Sequence, residues 1–421
     1  MTEVVPFKGV VYNTEKIKGD DVVSPPYDII SPEVKDELYR KSPYNFVRVD
    51  FGKTYDTDSD QENRYTRARR FLTEWLREGI LIQAERPLFY VCKVSYTIEN
   101  RQEVMRGIFG RVYITDLCKG VYPHEATHSK PKADRLSLIK HCNANLSPIF
   151  SIYNRRDCNL GGIFERTCSE KPYMEARDLN GARHRMWLLD DPDDISFIQE
   201  KLRGRPIYIA DGHHRYETAL DYRNEMMRKN PSHTGREPYN YVLMYLVNIA
   251  DGGLTVLPTH RLVKRLSHKS GSVKDSIIKP LERYFILRRI EDVAGIVREI
   301  EGNQHTIGLA LNGDKSGYVL RYTGDNLSGT PGVLRDLDVT VLHELILKRI
   351  FRVEEVAFEM DTETTLRRVR TGEFQAAFFL RPTSVSEVEK VSLTCLRMPP
   401  KSTYFYPKIL TGMVINRLDI E

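Results

Sequence analysis

The run Ile207-Tyr208-Ile209-Ala210-Asp211-Gly212-His213-His214-Arg215-Tyr216-Glu217-Thr218-Ala219-Leu220 carries the strongest structural signature in the chain. Ile207 to Ala210, after Pro206, is an apolar run too short for a helix and typical of a buried strand. Gly212 lets the backbone turn sharply and lets a ligand come close. The spacing of Tyr216, Ala219, Leu220, Met226 and Met227 predicts a helix to about Lys229, stopped by Asn230-Pro231. His213, His214 and Arg215 then stand at a helix N-terminus behind a strand. Unpaired N–H groups and the positive end of the helix dipole converge there. The bland alternative is a solvated, capped turn. It loses ground because each cation at such an end opposes the dipole by about 0.3–1 kcal/mol. Three potential cations together point to a phosphate-like anion.

The chain has 421 residues, enough for two or three domains with ordinary cores. At 41% hydrophobic and 29% charged residues it reads as soluble and globular. A formal charge of +5 is too mild for a nucleic-acid face, so no nucleic-acid partner is expected; a local positive pocket fits as well. The six cysteines form no Cys-x-x-Cys pair and read as ordinary thiols of a cytoplasmic protein. No run approaches the roughly 18 apolar residues of a membrane span, so no membrane partner is expected. Met1-Thr2-Glu3-Val4-Val5-Pro6 lacks a signal-peptide pattern.

Outward from the central run, the periodicity predicts helices at 32–41, after the N-cap Ser31, and at 62–78, before Gly79. Asn45 to Asp50 alternates like a strand, with Asn45 and Arg48 presenting polar groups. Residues 89–97 and 103–112 read as a hairpin around Glu99-Asn100-Arg101. Residues 150–153 and 241–248 read as strands, and 254–258 as the turn-linked partner of 241–248. From about 267 the texture becomes charged helices, at 272–284 with Pro280 inside, 292–301 and 339–349, alternating with strands at 305–311 and 318–322. The expected division is a catalytic region at 1–265, a second α+β domain at 266–385, and a segment at 386–421 that returns to the active cleft. The expected fold class is α/β, with α+β mixing.

The loop Tyr122 to Arg135 is rich in functional atoms and leads into a helix at about Ala133. Its His124-Glu125-Ala126-Thr127-His128 matches the zinc-hydrolase pattern, which needs both histidines on one helix face. Pro123 and Pro131 bracket the match and argue against that helix. Acid–base work by Glu125 is one alternative, and a solvated charged loop another. The chain has no Gly-x-x-x-x-Gly-Lys-Ser/Thr stretch, no strand-linked Gly-x-Gly-x-x-Gly and no nucleophile elbow.

Together these residues resemble a known group. Asp211-Gly212-His213-His214-Arg215 is similar to the phosphate-binding signature of the ParB/sulfiredoxin-like superfamily, and in particular of its free-serine kinases. Ser24-Pro25-Pro26-Tyr27-Asp28, Asn45 with Arg48, Pro123-His124-Glu125, Asp134-Arg135, Leu257-Pro258-Thr259-His260-Arg261 and Pro400-Lys401-Ser402-Thr403-Tyr404-Phe405 complete the set. In that order they resemble a prokaryotic family long filed as a domain of unknown function, whose members include pyrophosphate-dependent serine kinases. The resemblance implies a ParB/sulfiredoxin-like catalytic core with added N-terminal elements. It implies phosphoryl transfer to the hydroxyl of free L-serine, giving O-phosphoserine, with pyrophosphate or a nucleotide as donor. Such transfer needs charge neutralisation, a bridging metal such as Mg²⁺ and a placed nucleophile.

On this reading Gly212, His213, His214, Arg215 and Lys401 hold phosphates, with Lys408 adding charge. Glu125 takes the hydroxyl proton beside His124, and Asp211 holds Mg²⁺ or orients an imidazole. Arg48, Asn45, Thr127, Asp134, Arg135 and His260 line the serine site. The competing readings are a nucleotide- or phosphate-binding regulatory module associated with DNA, and a zinc-dependent hydrolase through His124 and His128.

Overall fold

The computed structural model describes residues 2–157, 160–266, 273–324 and 326–419. The expected start of a helix at Ser272 and the thiol of Cys158 lie outside them. The chain forms two compact units of mixed α/β character. The first holds residues up to Pro123, Thr127–Leu254 and Pro407 onward; the second holds His124–Ala126 and Thr255–Tyr406.

The first unit is built on a nine-stranded mixed sheet. Its backbone is a long hairpin, Phe89–Ile98 and Arg101–Tyr113. Glu99 and Asn100 both take positive φ (47° and 61°), the conformation that a two-residue hairpin turn requires. Tyr241–Asn248 runs antiparallel to the second hairpin strand and parallel to Ile149–Tyr153. Ile149–Tyr153 in turn pairs antiparallel with Ile207–Asp211, beside which Val121–Tyr122 lies parallel. The strands that lead to the Asp-Gly-His-His-Arg turn are thus nearly continuous apolar runs, buried on both faces.

Helix His213–Lys229 follows the motif strand directly. Its Tyr216 and Ala219 enter the core beneath the sheet, and the Tyr216 hydroxyl donates to Thr115 O at 2.8 Å. Met226 packs instead on a separate cluster with Ile139 and Tyr239, and Met227 is exposed, so the single apolar face expected for this helix is divided.

Other expectations are corrected. Val47–Asp50 is a short helical turn where a strand was expected, because Asn45 folds the chain back on itself. The helix expected at Ala133 begins at Ser129. Pro131 is tolerated because it lies in the first turn, where its missing N–H has no partner to lose. Cys118 and Cys395 are each disulfide-bonded, unlike the free Cys92, Cys142 and Cys168.

The second unit is a six-stranded antiparallel sheet in the order Phe285–Ile290, Gly317–Tyr322, Thr306–Leu311, Ala376–Phe379, His260–Val263, Ala357–Glu359. Helices Ile296–Ile300 and Thr362–Arg370 pack their apolar residues against it. Pro280 lies inside helix Val273–Glu282. Thr255–Leu257 pairs with Tyr404–Tyr406, not with Tyr241–Asn248 as its turn residues suggested. No helix among the described residues is long and apolar enough to cross a membrane.

Candidate phosphate site

The motif strand has an irregularity of register between Ile209 and Asp211, which leaves Ala210 outside the ladder and pairs Asp211 with Phe150. Gly212 follows at φ 96°, in the left-handed region, and the helix starts at His213. A Cβ on Gly212 would stand 2.8 Å from Arg215 Nε, so this position needs glycine for its backbone and for the side chain folded over it. Arg215 reaches back across the turn. One terminal nitrogen donates to Asp211 Oδ2 at 2.7 Å and the other to the carbonyl of Pro148, while its buried Nε has no hydrogen-bond partner.

Asp211 is gripped from its other side by Lys408, whose ammonium donates to Oδ1 at 2.8 Å. The C-terminal segment of the first unit therefore meets the motif. Both oxygens of Asp211 are engaged by cations. One bond on each oxygen leaves a lone pair on both, while the two cations offset the negative charge Asp211 would offer a magnesium ion. Among the described residues, no group of three His, Cys, Asp or Glu could hold a metal ion.

A second helix start lies beside the first. His128 precedes helix Ser129–Cys142, and its backbone N–H donates to His214 Nε2 at 2.9 Å. That bond requires a lone pair on Nε2, so the ring proton of neutral His214 sits on Nδ1. The two imidazoles stack with centroids 6.1 Å apart. Thr127 Oγ1 donates to Glu217 at 2.7 Å, and Lys132 pairs with the same carboxylate at 3.0 Å. Eight residues farther along both helices, Lys140 pairs with Glu225 at 2.6 Å. The helices therefore run parallel, with both positive ends on the same side. At neither start does the N-cap residue, His128 or Gly212, supply a side-chain cap. Two parallel helix starts, two histidines, Arg215 and Lys408 make a site suited to an oxyanion with several negative charges.

Behind this site lies an ion network. Arg135 is buried and donates to Asp50 Oδ1 at 3.0 Å and to Asp134 Oδ2 at 2.6 Å. Asp134 also receives Arg64 and, at 2.7 Å, the Tyr65 hydroxyl. Burial pushes the Asp134 carboxyl up, but Arg135, Tyr65 and Arg64 together hold it below the usual range. Burial likewise lowers Arg135, and Asp50 and Asp134 more than offset it. Tyr27 packs its ring on Arg135, and burial pushes its phenol up to about 12.

Asn45 and Arg48 make local contacts. The Asn45 amide donates to the carbonyls of Asp21 and Val23 and accepts from Val47 N. Arg48 donates to Tyr39 O and Ser42 O at the end of helix Pro32–Lys41 and lies over the Tyr39 ring. Asp50 and Ser147 were passed over by sequence reasoning; Asp50 Oδ1 accepts from Arg135 and, at 2.7 Å, from Ser147 Oγ. Neither belongs to a motif.

The second unit holds the remaining candidates. His124 to Ala126 is extended, not helical, so this run lacks the helix face on which the zinc pattern depends. His124 is buried and its Nε2 lies 2.9 Å from Thr403 Oγ1. Glu125 Oε1 accepts from Lys401 N at 3.1 Å, and Lys401 itself takes a left-handed φ of 56°. His260 is buried between Thr362 Oγ1 and the N–H of Leu380, and burial drives its pKa down to about 4. The buried Arg261 beside it donates to the carbonyls of Thr259, Pro400 and Lys401.

Comparison with known proteins adds the following. A family model described as a protein of unknown function, DUF1015, matches residues 4–340. No curated protein matches the chain. Solved structures that resemble it include a free serine kinase in complex with AMP, at 13% identity and TM-score 0.37, covering 71% of this chain and 86% of that one. A conserved hypothetical protein from Pyrococcus furiosus matches at 15% identity and TM-score 0.36, over 72% of this chain and 92% of that one. C-terminally truncated SbnI from Staphylococcus aureus matches at 12% identity and TM-score 0.36, over 72% and 85%. At these scores the likenesses carry no argument about the site.

Proposed function

The chain belongs to the DUF1015 family, and from its own site we propose that it is a small-molecule kinase with a ParB/sulfiredoxin-like core. It moves a phosphoryl group from pyrophosphate to the hydroxyl of free L-serine and releases O-phosphoserine. The observation that carries this reading is the pair of parallel helix starts joined through His128 and His214, with Arg215 and Lys408 beside them. That array matches the charge of a donor bearing two phosphates.

The donor phosphates rest on the N–H groups that follow Gly212, with His213, His214 and Arg215 around them. As charge shifts to the leaving phosphate, the fixed helix ends and the guanidinium stabilise it without reorganising. A magnesium ion, where one takes part, supplies further charge neutralisation from the donor side. The proton acceptor expected from sequence is Glu125, in the other unit. Within the unit that holds the phosphate motif, Asp50 is a buried carboxylate with an unpaired oxygen. A nucleotide donor is the second reading, since the same site would hold its terminal phosphates.

Phosphorus NMR of the protein with L-serine, Mg²⁺ and each of pyrophosphate, ATP and ADP tests the proposal. Phosphoserine should appear fastest with pyrophosphate. No phosphoserine with any donor, from folded protein, refutes the kinase; phosphoserine from a nucleotide alone refutes the donor.

A further inference from the structure

A cavity of about 40 Å³ opens behind the phosphate motif, entirely within the first unit. It has room for about three water molecules, at roughly 10–15 Å³ each. Leu138, Leu146 and Val242 supply apolar wall, while Asp50, Arg135 and Arg215 supply charge. Two of its lining groups are incompletely bonded. Asp50 is 2% exposed; its Oδ1 receives both Arg135 and Ser147, and its Oδ2 receives nothing. Arg215 uses both terminal nitrogens, on Asp211 and on Pro148, and its buried Nε–H donates to nothing. Leaving one buried polar group unpaired costs about 1–3 kcal/mol, and more when it is charged. A cavity with one spare acceptor and one spare donor is complementary to a hydroxyl, which both donates and accepts.

We propose that this cavity is the acceptor subsite, binding the hydroxymethyl end of a small alcohol, with Asp50 rather than Glu125 taking its proton. The inference rests on the kinase reading for its chemistry, and on the cavity alone for its binding. The methylene lies against the apolar wall. The O–H donates to Asp50 Oδ2, and the oxygen accepts from Arg215 Nε. Arg215 belongs to both sites: its terminal nitrogen fixes Asp211 at the phosphate turn while its Nε fixes the nucleophile. In the transfer step, the alcohol oxygen bonds to the phosphorus and its proton passes to Asp50 Oδ2. The bridging P–O bond of pyrophosphate breaks, and orthophosphate leaves with the electron pair.

Binding and turnover are read separately. Saturation-transfer NMR of the full chain should show L-serine bound at least tenfold more tightly than L-alanine, which lacks the hydroxyl. Asp50→Asn should weaken serine at least tenfold and lower turnover at least 100-fold, with pyrophosphate binding by calorimetry unchanged. Glu125→Gln should lower turnover far less than Asp50→Asn does. Ala144 lines the same cavity. Ala144→Val, which fills space and removes no polar group, should weaken serine while sparing pyrophosphate, and it decides the matter if Asp50→Asn does not fold. Equal binding of serine and alanine, or serine binding unaffected by both cavity variants, overturns the subsite. A collapse of turnover in Glu125→Gln, with Asp50→Asn active, overturns the role of Asp50. Hydroxyl-dependent binding without phosphoserine from any donor overturns the kinase reading and leaves the subsite standing.

Discussion

Gly212 is the residue on which the phosphate turn depends. Its φ of 96° would cost a residue with a side chain about 1–2 kcal/mol. The added Cβ would also push into the Arg215 guanidinium, 2.8 Å from Nε and 2.9 Å from the central carbon. The side chain can move away only by giving up its bonds to Asp211 and Pro148. Gly212→Ala is therefore expected to lower the melting temperature by a few degrees and to weaken pyrophosphate by at least tenfold, measured by thermal denaturation and calorimetry. Retained affinity would show that the turn does not hold the donor. His214 poses a related constraint. Its Nε2 accepts the backbone N–H of His128 and so ties the two helix starts together.

At the scale of elements, two parallel helices place their positive ends side by side, and each raises the energy of the other. Glu217, near the start of one helix, offsets part of that field and binds Thr127 and Lys132 of the neighbouring stretch. Glu217→Gln removes the offset. The unliganded protein should lose about 1 kcal/mol, the scale of a partly buried pair with one hydrogen bond. Pyrophosphate should then bind several-fold more tightly and raise the melting temperature by more than in the parent. A thermal-shift titration reads both, and an unchanged response to pyrophosphate would remove the dipole argument. Much of this element was legible in the sequence. A short apolar run, a glycine and a stop at Asn230-Pro231 bound Ile207–Asp211 and His213–Lys229 closely. Its neighbour was not, since Pro131 reads as a breaker unless the helix is known to begin two residues earlier. Pairings across long separations were also hidden. Thr255–Leu257 finds Tyr404–Tyr406, and Lys408, expected only to lend charge to the donor, takes Asp211 as its partner, 197 residues away. No local pattern encodes either. Asp50 was missed because a lone carboxylate in a short alternating run looks like any strand residue.

At the scale of the whole molecule, the two units face acid differently. Burial holds the His260 pKa in the second unit near 4; Arg261 lowers it further, and Asp361 opposes them. An unfolded chain protonates this histidine near its ordinary 6.5. Between those values the unfolded state binds a proton that the folded unit refuses, so stability rises with pH across that window and falls as the solution is acidified through it. About 2.5 pH units at 1.36 kcal/mol each sets an upper limit of about 3 kcal/mol, lost between pH 6.5 and 4. The chain has two tryptophans, Trp75 and Trp187, and both belong to the first unit. Acid weakening of the second unit should therefore appear in urea melts followed by circular dichroism before it appears in tryptophan fluorescence. Carboxylates titrate in the same range, so the comparison that isolates His260 is His260→Gln, which keeps an acceptor for the Leu380 N–H. That variant should be less stable at pH 7 and should lose less on going to pH 4. Parallel pH profiles for parent and variant would show that His260 does not set the acid sensitivity of this unit.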